Sequence, residues 1–230
     1  MKRNALIISC SPRAKKGSSN AIAEYLLDQL KLNGNSTDKI ILCQEIKEES
    51  RIVEYLDKAD VIVLTLPIYE NSVPGLVVQL FELIYQFRNK LSGREKQIFV
   101  ITNSGFAEVS ANQSAIEVCR LFADEMGFDW LGGIAVAPGT LFTEDNLYKS
   151  KRIYKKLIMS LDMIAESLSN NRKIPEAAFA LVSKSFFNLY IYIAVGFILQ
   201  KKMIVHKIGK AVYFARPLLM SKTKDLPEYR

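Results

Sequence analysis

Five short apolar runs punctuate the chain, at Ala5 to Ile8, Lys39 to Cys43, Val61 to Leu66, Gln97 to Thr102 and Gly132 to Ala137. They are rich in Ile and Val and bounded by turn residues, the pattern of strands buried on both faces. Between them apolar residues recur at spacings of three and four: Ile22, Leu26, Leu27 and Leu30, then Val77, Leu80, Phe81, Ile84 and Phe87, then Ile116, Leu121, Phe122 and Met126. Each set draws one apolar stripe along a helix. A further helix is predicted over Leu147 to Leu168, with Ile153, Leu157, Ile158, Leu161, Ile164 and Leu168 facing one way and Lys151, Arg152, Lys155 and Lys156 largely elsewhere. Strand and helix alternate five times. Right-handed crossovers then lay the helices over both faces of a parallel sheet, so the expected architecture is an α/β, doubly wound, five-stranded parallel sheet of order 2-1-3-4-5.

That winding localises the chemistry. In open α/β sheets ligands bind outside the C-terminal ends of the strands, beside the point where the strand order reverses. The loops expected to converge there are Cys10 to Asn20, Pro67 to Pro74 and Asn103 to Gln113. The first runs Ser9-Cys10-Ser11-Pro12-Arg13-Ala14-Lys15-Lys16-Gly17-Ser18-Ser19-Asn20 from a strand into a helix. It offers hydroxyls, backbone N–H groups, a helix N-terminus and three cations to an anion. An ordinary capped turn explains the same Ser and Asn residues. The second loop, Pro67-Ile68-Tyr69-Glu70-Asn71-Ser72-Val73-Pro74, has its backbone restricted by two prolines. It could read the polar edge of a flat heterocycle, or simply form a Pro-rich turn with Tyr69 packed on the next helix. The third, Asn103-Ser104-Gly105-Phe106-Ala107-Glu108, joins short polar side chains to a Gly that permits close approach and a Phe that can stack; a capped turn is again the plain alternative.

Taken together, Ser11-Pro12-Arg13 with Gly17-Ser18-Ser19-Asn20, Leu66-Pro67-Ile68-Tyr69 with Ser72-Val73-Pro74, and Asn103 to Glu108 with Asn112-Gln113 resemble the flavodoxin-like NAD(P)H-dependent FMN reductase and quinone reductase superfamily. The stretch Cys119 to Ala123, running on to Gly127-Phe128-Asp129-Trp130-Leu131-Gly132-Gly133, is similar to a bacterial branch of it. The likeness covers roughly residues 4 to 169 and implies a flavodoxin-like fold that binds FMN. It implies that Ser11, Arg13, Ser18, Ser19 and Asn20 hold the FMN phosphate. Pro67, Ile68, Tyr69, Glu70 and Asn71 would lie beside the isoalloxazine, and Asn103, Ser104, Gly105 and Phe106 would form its other border. The activity it implies is two-electron reduction of a quinone, flavin or other small acceptor at the expense of NAD(P)H. The alternative is an FMN-binding electron carrier or redox sensor without turnover of its own. The absence of a catalytic triad or paired catalytic carboxylates suits either reading, because the flavin carries the reactivity. This chain departs from the commonest form of the first loop at Cys10, where Gly is usual, and at Ala21, where Thr often follows the Asn.

Composition changes the picture at the C-terminus. The formal net charge of +7 is uneven: residues 170 to 230 hold 11 basic and three acidic side chains, while the first 169 residues are close to neutral. The basicity therefore does not describe a nucleic-acid footprint of the whole protein and points to what the tail touches. We divide the chain into a flavin-binding domain, 1–170, and a basic, apolar, helical extension, 171–230. Ala177 to Leu199 is strongly apolar, but its uninterrupted part between Lys184 and Gln200 is shorter than the roughly 20 residues that span a bilayer. The extension could pack on a second subunit or cover the flavin, lie on a membrane surface, or, with Lys184 snorkelling, act as a membrane anchor. The expected partners are a small-molecule acceptor and a second copy of the chain, with peripheral membrane contact open and no nucleic acid. The short apolar start after Met1 lacks a signal-peptide pattern, so a cytoplasmic location is expected. Cys10, Cys43 and Cys119 and the one histidine, His206, have no metal-ligand or disulfide spacing. Cys10 reads as a small residue fitting a tight turn, or as a reactive thiol.

Overall fold

The computed structural model describes residues 2–91, 95–105, 108–139, 147 and 154–184. Contacts divide the chain into two units, Met1–Phe186 and Phe187–Arg230, and the described residues all belong to the first. Its sheet comprises β1 (Asn4–Ser9), β2 (Ser36–Ile41), β3 (Val61–Pro67), β4 (Gln97–Asn103) and β5 (Asp129–Val136). All pairings are parallel and the order is β2-β1-β3-β4-β5, as the alternation predicts. The helices are α1 (Ser18–Leu32), α2 (Leu42–Glu45), α3 (Glu49–Lys58), α4 (Gly75–Gln86), α5 (Gln113–Glu125), α6 (Lys155–Ser169) and α7 (Glu176–Val182).

Strand alternation sorts the core into two layers. Ile7, Val63, Ile101 and Val136 face α1 and α6, where Ile22, Leu26, Leu161 and Ile164 bury their side chains. Ile8, Leu64, Val100 and Leu66 face the other way, against Ile52 and Leu56 of α3, Leu80 and Ile84 of α4 and Cys119 of α5. A fully buried aliphatic side chain contributes about 1.5–3 kcal/mol, so each layer outweighs any single polar contact. The first layer also takes Ile174, Ala178 and Val182, from α7 and the turn before it.

Two strands differ from the sequence pattern. β2 begins at Ser36, three residues before the apolar run, and ends at Ile41, so that Leu42 and Cys43 start α2. It is an edge strand whose Ser36 to Lys39 are only half-buried, so the polar half of the strand carries no hydrophobic signal. β5 begins at Asp129 and not Gly132, with a register shift against Ile98 and Phe99 that admits Leu131 as an extra residue. Gly132 there has φ +118°, and a Cβ would stand 2.9 Å from the Phe179 ring, so both conformation and space require glycine. Helix α3, which is not among the stripes named above, is amphipathic over little more than one turn, burying Ile52 and Leu56 with Tyr55 packed beside them. No helix among the described residues is long and apolar enough to cross a membrane. The basic extension beyond residue 184, with His206, and also Ile153 lie outside the described residues.

Candidate functional site

At the C-terminal edge of β1, β3 and β4 the three loops border one small, open cavity of about 70 Å³. Of the residues expected at the site, Ser11, Arg13, Ser18, Ser19, Pro67, Ile68, Tyr69, Asn103 and Gly105 line it, together with Gly17. Asn20, Glu70, Asn71 and Ser104 stand in the same loops without lining it, and Phe106 lies outside the described residues.

The first loop is a tight cradle. Ser11 Oγ accepts from Arg13 N at 3.2 Å and the Ser11 carbonyl accepts from Ala14 N at 3.1 Å, folding the chain into a short 3-10 turn, Ala14–Lys16. Gly17 is the N-cap of α1, and no side chain caps that helix. The choice of glycine is steric: a Cβ at position 17 would fall 2.2 Å from Ser11 Oγ. The first turn of a 15-residue helix therefore faces the cavity with Arg13, Lys15 and Lys16 beside it, a favourable place for an anion. Asn20 and Ala21 give their N–H groups to the Gly17 carbonyl, at 3.0 and 3.2 Å. Ser19 Oγ donates to Asn103 Oδ1 at 2.6 Å, a buried bond joining the first loop to the third.

The second loop is a two-residue hairpin. Tyr69 and Ser72 pair as an antiparallel bridge around Glu70 and Asn71, which have φ of +49° and +58°. That is the geometry of a type I′ turn, for which glycine or asparagine is the comfortable choice. Asn71 O accepts from Ser114 Oγ, anchoring the hairpin to α5. Ile68 N donates to Asn103 O at 2.8 Å, and Tyr69 remains 47% exposed at the cavity rim. Four non-glycine residues among the described ones hold left-handed backbone, and three of them, Ala14, Glu70 and Asn71, flank this cavity. At Ala14 and Glu70, which unlike Asn71 do not adopt this backbone readily, such strain costs about 1–3 kcal/mol each, and it concentrates at functional sites.

The third loop is braced from behind. Ser104 N donates to Val136 O at 3.3 Å, Ser104 O accepts from Gly139 N at 2.6 Å, and Ser104 Oγ accepts from Asn112 Nδ2 at 3.0 Å. Gly139 passes so close to Asn103 that a Cβ would stand 2.7 Å from the Asn103 Cβ. Asn112 is wholly buried and a structural member of the site. Its role has no signal in the sequence, because the bond depends on where a 3-10 turn, Val109–Asn112, brings it back to Ser104.

Cys10 is not part of the cradle. Its side chain faces the layer of α3, α4 and α5, wholly buried, with Sγ donating to Ile8 O at 3.6 Å. Burial pushes its thiol well above the ordinary range, so it stays protonated, which disfavours the reactive-thiol reading. Ala21, the other departure, is buried on the opposite side in the first layer. Neither change faces the anion end. Trp130 is half-buried against the second layer, a packing role.

A family model described as flavodoxin-like fold matches residues 3–157. No curated protein matches the sequence. Among solved structures, an FMN-dependent NADH-azoreductase from Bacillus anthracis str. Ames Ancestor, in complex with FMN, aligns with a TM-score of 0.54 at 13% identity, covering 73% of this chain and 100% of that one. An NAD(P)H:quinone oxidoreductase from Methanothermobacter marburgensis aligns at 0.55 and 14%, over 73% and 96% of the two chains. A flavodoxin, WrbA-like protein from Agrobacterium tumefaciens aligns at 0.53 and 16%, over 75% and 100%. At these identities the likeness is one of fold.

Proposed function

Since this chain belongs to the flavodoxin-like fold family, we propose that it is an FMN-dependent oxidoreductase that uses NAD(P)H to reduce a quinone, flavin or other small acceptor. The observation that carries the reading is that one cavity is lined both by the anion loop, with Ser11, Arg13 and Gly17 to Ser19, and by Pro67, Ile68 and Tyr69 of the second loop. A flavin mononucleotide has the matching halves, a dianionic phosphate and a planar ring. Bound FMN would supply the two-electron chemistry.

The chain's own residues bind and orient. Ser11, Arg13 and Ser18 would hold the phosphate directly, with the helix N-terminus behind them. Ser19 and Asn20 would serve it through position, since the hydroxyl of Ser19 is engaged by Asn103 and the amide of Asn20 by Lys15 O and Lys39. Pro67, Ile68 and Tyr69 would cover one side of the ring, with the strained Glu70-Asn71 turn fixing their backbone. Asn103 and Gly105 would border the other side, with Ser104 bracing them and Phe106 completing that edge. Residues 1–170 would supply the cofactor site and 171–230 a basic extension. A homodimer, a cytoplasmic location and a peripheral membrane contact made by the extension, whose net charge supports it, belong to the same proposal.

Purified protein tests it directly. The expected result is a yellow protein that releases a flavin of FMN mass and oxidises NADH or NADPH only when a quinone or free flavin is added. A colourless protein that takes up no FMN on titration refutes the cofactor. Bound FMN without acceptor-dependent turnover refutes the enzyme and leaves an electron carrier.

A further inference from the structure

Lys39 stands on β2, outside the cavity and outside the three loops that form it. Its ammonium donates to Asn20 Oδ1 at 2.6 Å and to Glu24 Oε1. Asn20 donates onward through Nδ2 to the Lys15 carbonyl at 3.4 Å. Asn20 is wholly buried and the Lys39 side chain is 12% exposed, so the contact between them is shielded from water, while the Glu24 side chain on the outer side is 27% exposed. A chain of bonds thus runs from the edge strand, through the third residue of α1, to the turn that carries Arg13, Lys15 and Lys16. It also sets a positive charge one hydrogen bond behind the first turn of α1, where screening is weak, with the Glu24 carboxylate opposing its field.

We propose that Lys39 is a positioning residue for the anion end of the cavity, setting how strongly a phosphomonoester is held there, with Glu24 as its counterweight. The inference rests on the FMN reading above. Its target is the phosphate and not the ring, because Asn20 and Lys15 belong to the anion loop while Pro67 to Tyr69, the residues proposed to lie beside the ring, come from a separate segment. Two things follow from one geometry. Removing the ammonium weakens the hold on the phosphate twice, by loosening the Lys15 turn and by deleting a charge. Removing the carboxylate of Glu24, with the hydrogen bond kept, strengthens it.

FMN and riboflavin share the ring and differ in the phosphate, so parallel titrations of the full chain separate the two ends. The wild type is expected to prefer FMN. Lys39→Met should weaken FMN by about tenfold, the effect of a shielded charge at several ångströms, and change riboflavin by less than about twofold. Lys39→Arg should restore most of the FMN affinity. Glu24→Gln should tighten FMN about threefold and leave riboflavin unchanged, an opposite sign that a merely structural role would not produce. If Lys39→Met weakens FMN and riboflavin equally, or Glu24→Gln fails to tighten FMN, the inference is overturned. Should Lys39→Met not fold, the Glu24→Gln arm decides alone. A wild-type protein that binds neither flavin, or shows no preference for FMN, overturns the cofactor reading itself, a result distinct from the failure of Lys39.

Discussion

Replacing Gly17 by alanine puts a methyl group where Ser11 already stands. The new Cβ would lie 2.2 Å from Ser11 Oγ and 2.9 Å from Ser11 Cβ. Backbone conformation is not the obstacle, since φ −86° and ψ 148° suit any residue. Space is the obstacle, and Ser11 cannot yield alone: it is 2% exposed and holds both Arg13 N and Ala14 N. Overpacking of a buried site costs about 1–3 kcal/mol. Alanine is also a poorer N-cap than glycine, adding about 0.5–1 kcal/mol. A rigid loop therefore loses about 1.5–4 kcal/mol of stability. A loop that gives way keeps its stability and loses the cradle, so FMN affinity falls by about 10- to 100-fold, the equivalent of about 1.4–2.7 kcal/mol. The assay is urea denaturation of the flavin-free protein, with FMN and riboflavin fluorescence titrations beside it. An unchanged unfolding midpoint together with FMN affinity within about twofold of wild type would refute the reasoning.

Three further outcomes follow from buried polar groups. Lys96 is 2% exposed and donates to the carbonyls of Asp57 and Ala59 at the end of α3, at 2.8 and 3.2 Å; Lys96→Met leaves both without this donor and should cost about 2–4 kcal/mol in urea unfolding, with no change in FMN affinity. Ser19→Ala removes the donor to Asn103 Oδ1 and should lower stability by about 1–2 kcal/mol in the same assay, with an unchanged circular dichroism spectrum as the control for fold. Burial raises the Cys10 thiol and pushes Cys119 up to about 12, so the folded state holds these protons more tightly than the unfolded chain. Stability contributed by the neutral thiols is full below about pH 8.5 and falls as pH rises above it, by up to about 1.4 kcal/mol per unit for each thiol. Cys119→Ala should lower this alkaline slope by about half between about pH 9 and 11, and an unaltered slope rules the assignment out.

The part of the site that sequence reveals is the part built from contiguous residues. Ser11, Arg13 and Gly17 to Ser19 lie in the one segment that joins β1 to α1, and Pro67, Ile68 and Tyr69 follow or end β3, so naming the strands already names the loops that meet. Bonds across the chain are not legible in this way. Ser19 reaches Asn103 over 84 positions, and Lys39 reaches Asn20 from an edge strand whose polar half has no hydrophobic pattern. Glu70 and Asn71 show the same limit within one loop: both are ordinary loop residues by composition, and only the bridge between Tyr69 and Ser72 forces them into left-handed backbone.

By itself, the sequence determined the winding. Apolar runs short enough for strands, alternating with helical stripes, allow a parallel sheet covered on both faces and little else, because the crossovers have one hand. It also determined which edge of that sheet carries the loops. Tertiary structure decided which atoms of those loops are available to a ligand. Cys10 and Asn20 sit inside the loop by position, yet one turns into the core and the other is held between Lys15 and Lys39, while Gly17 makes room for Ser11. Those outcomes depend on side-chain direction and on partners brought from other strands, and neither is encoded in the spacing of residues along one segment.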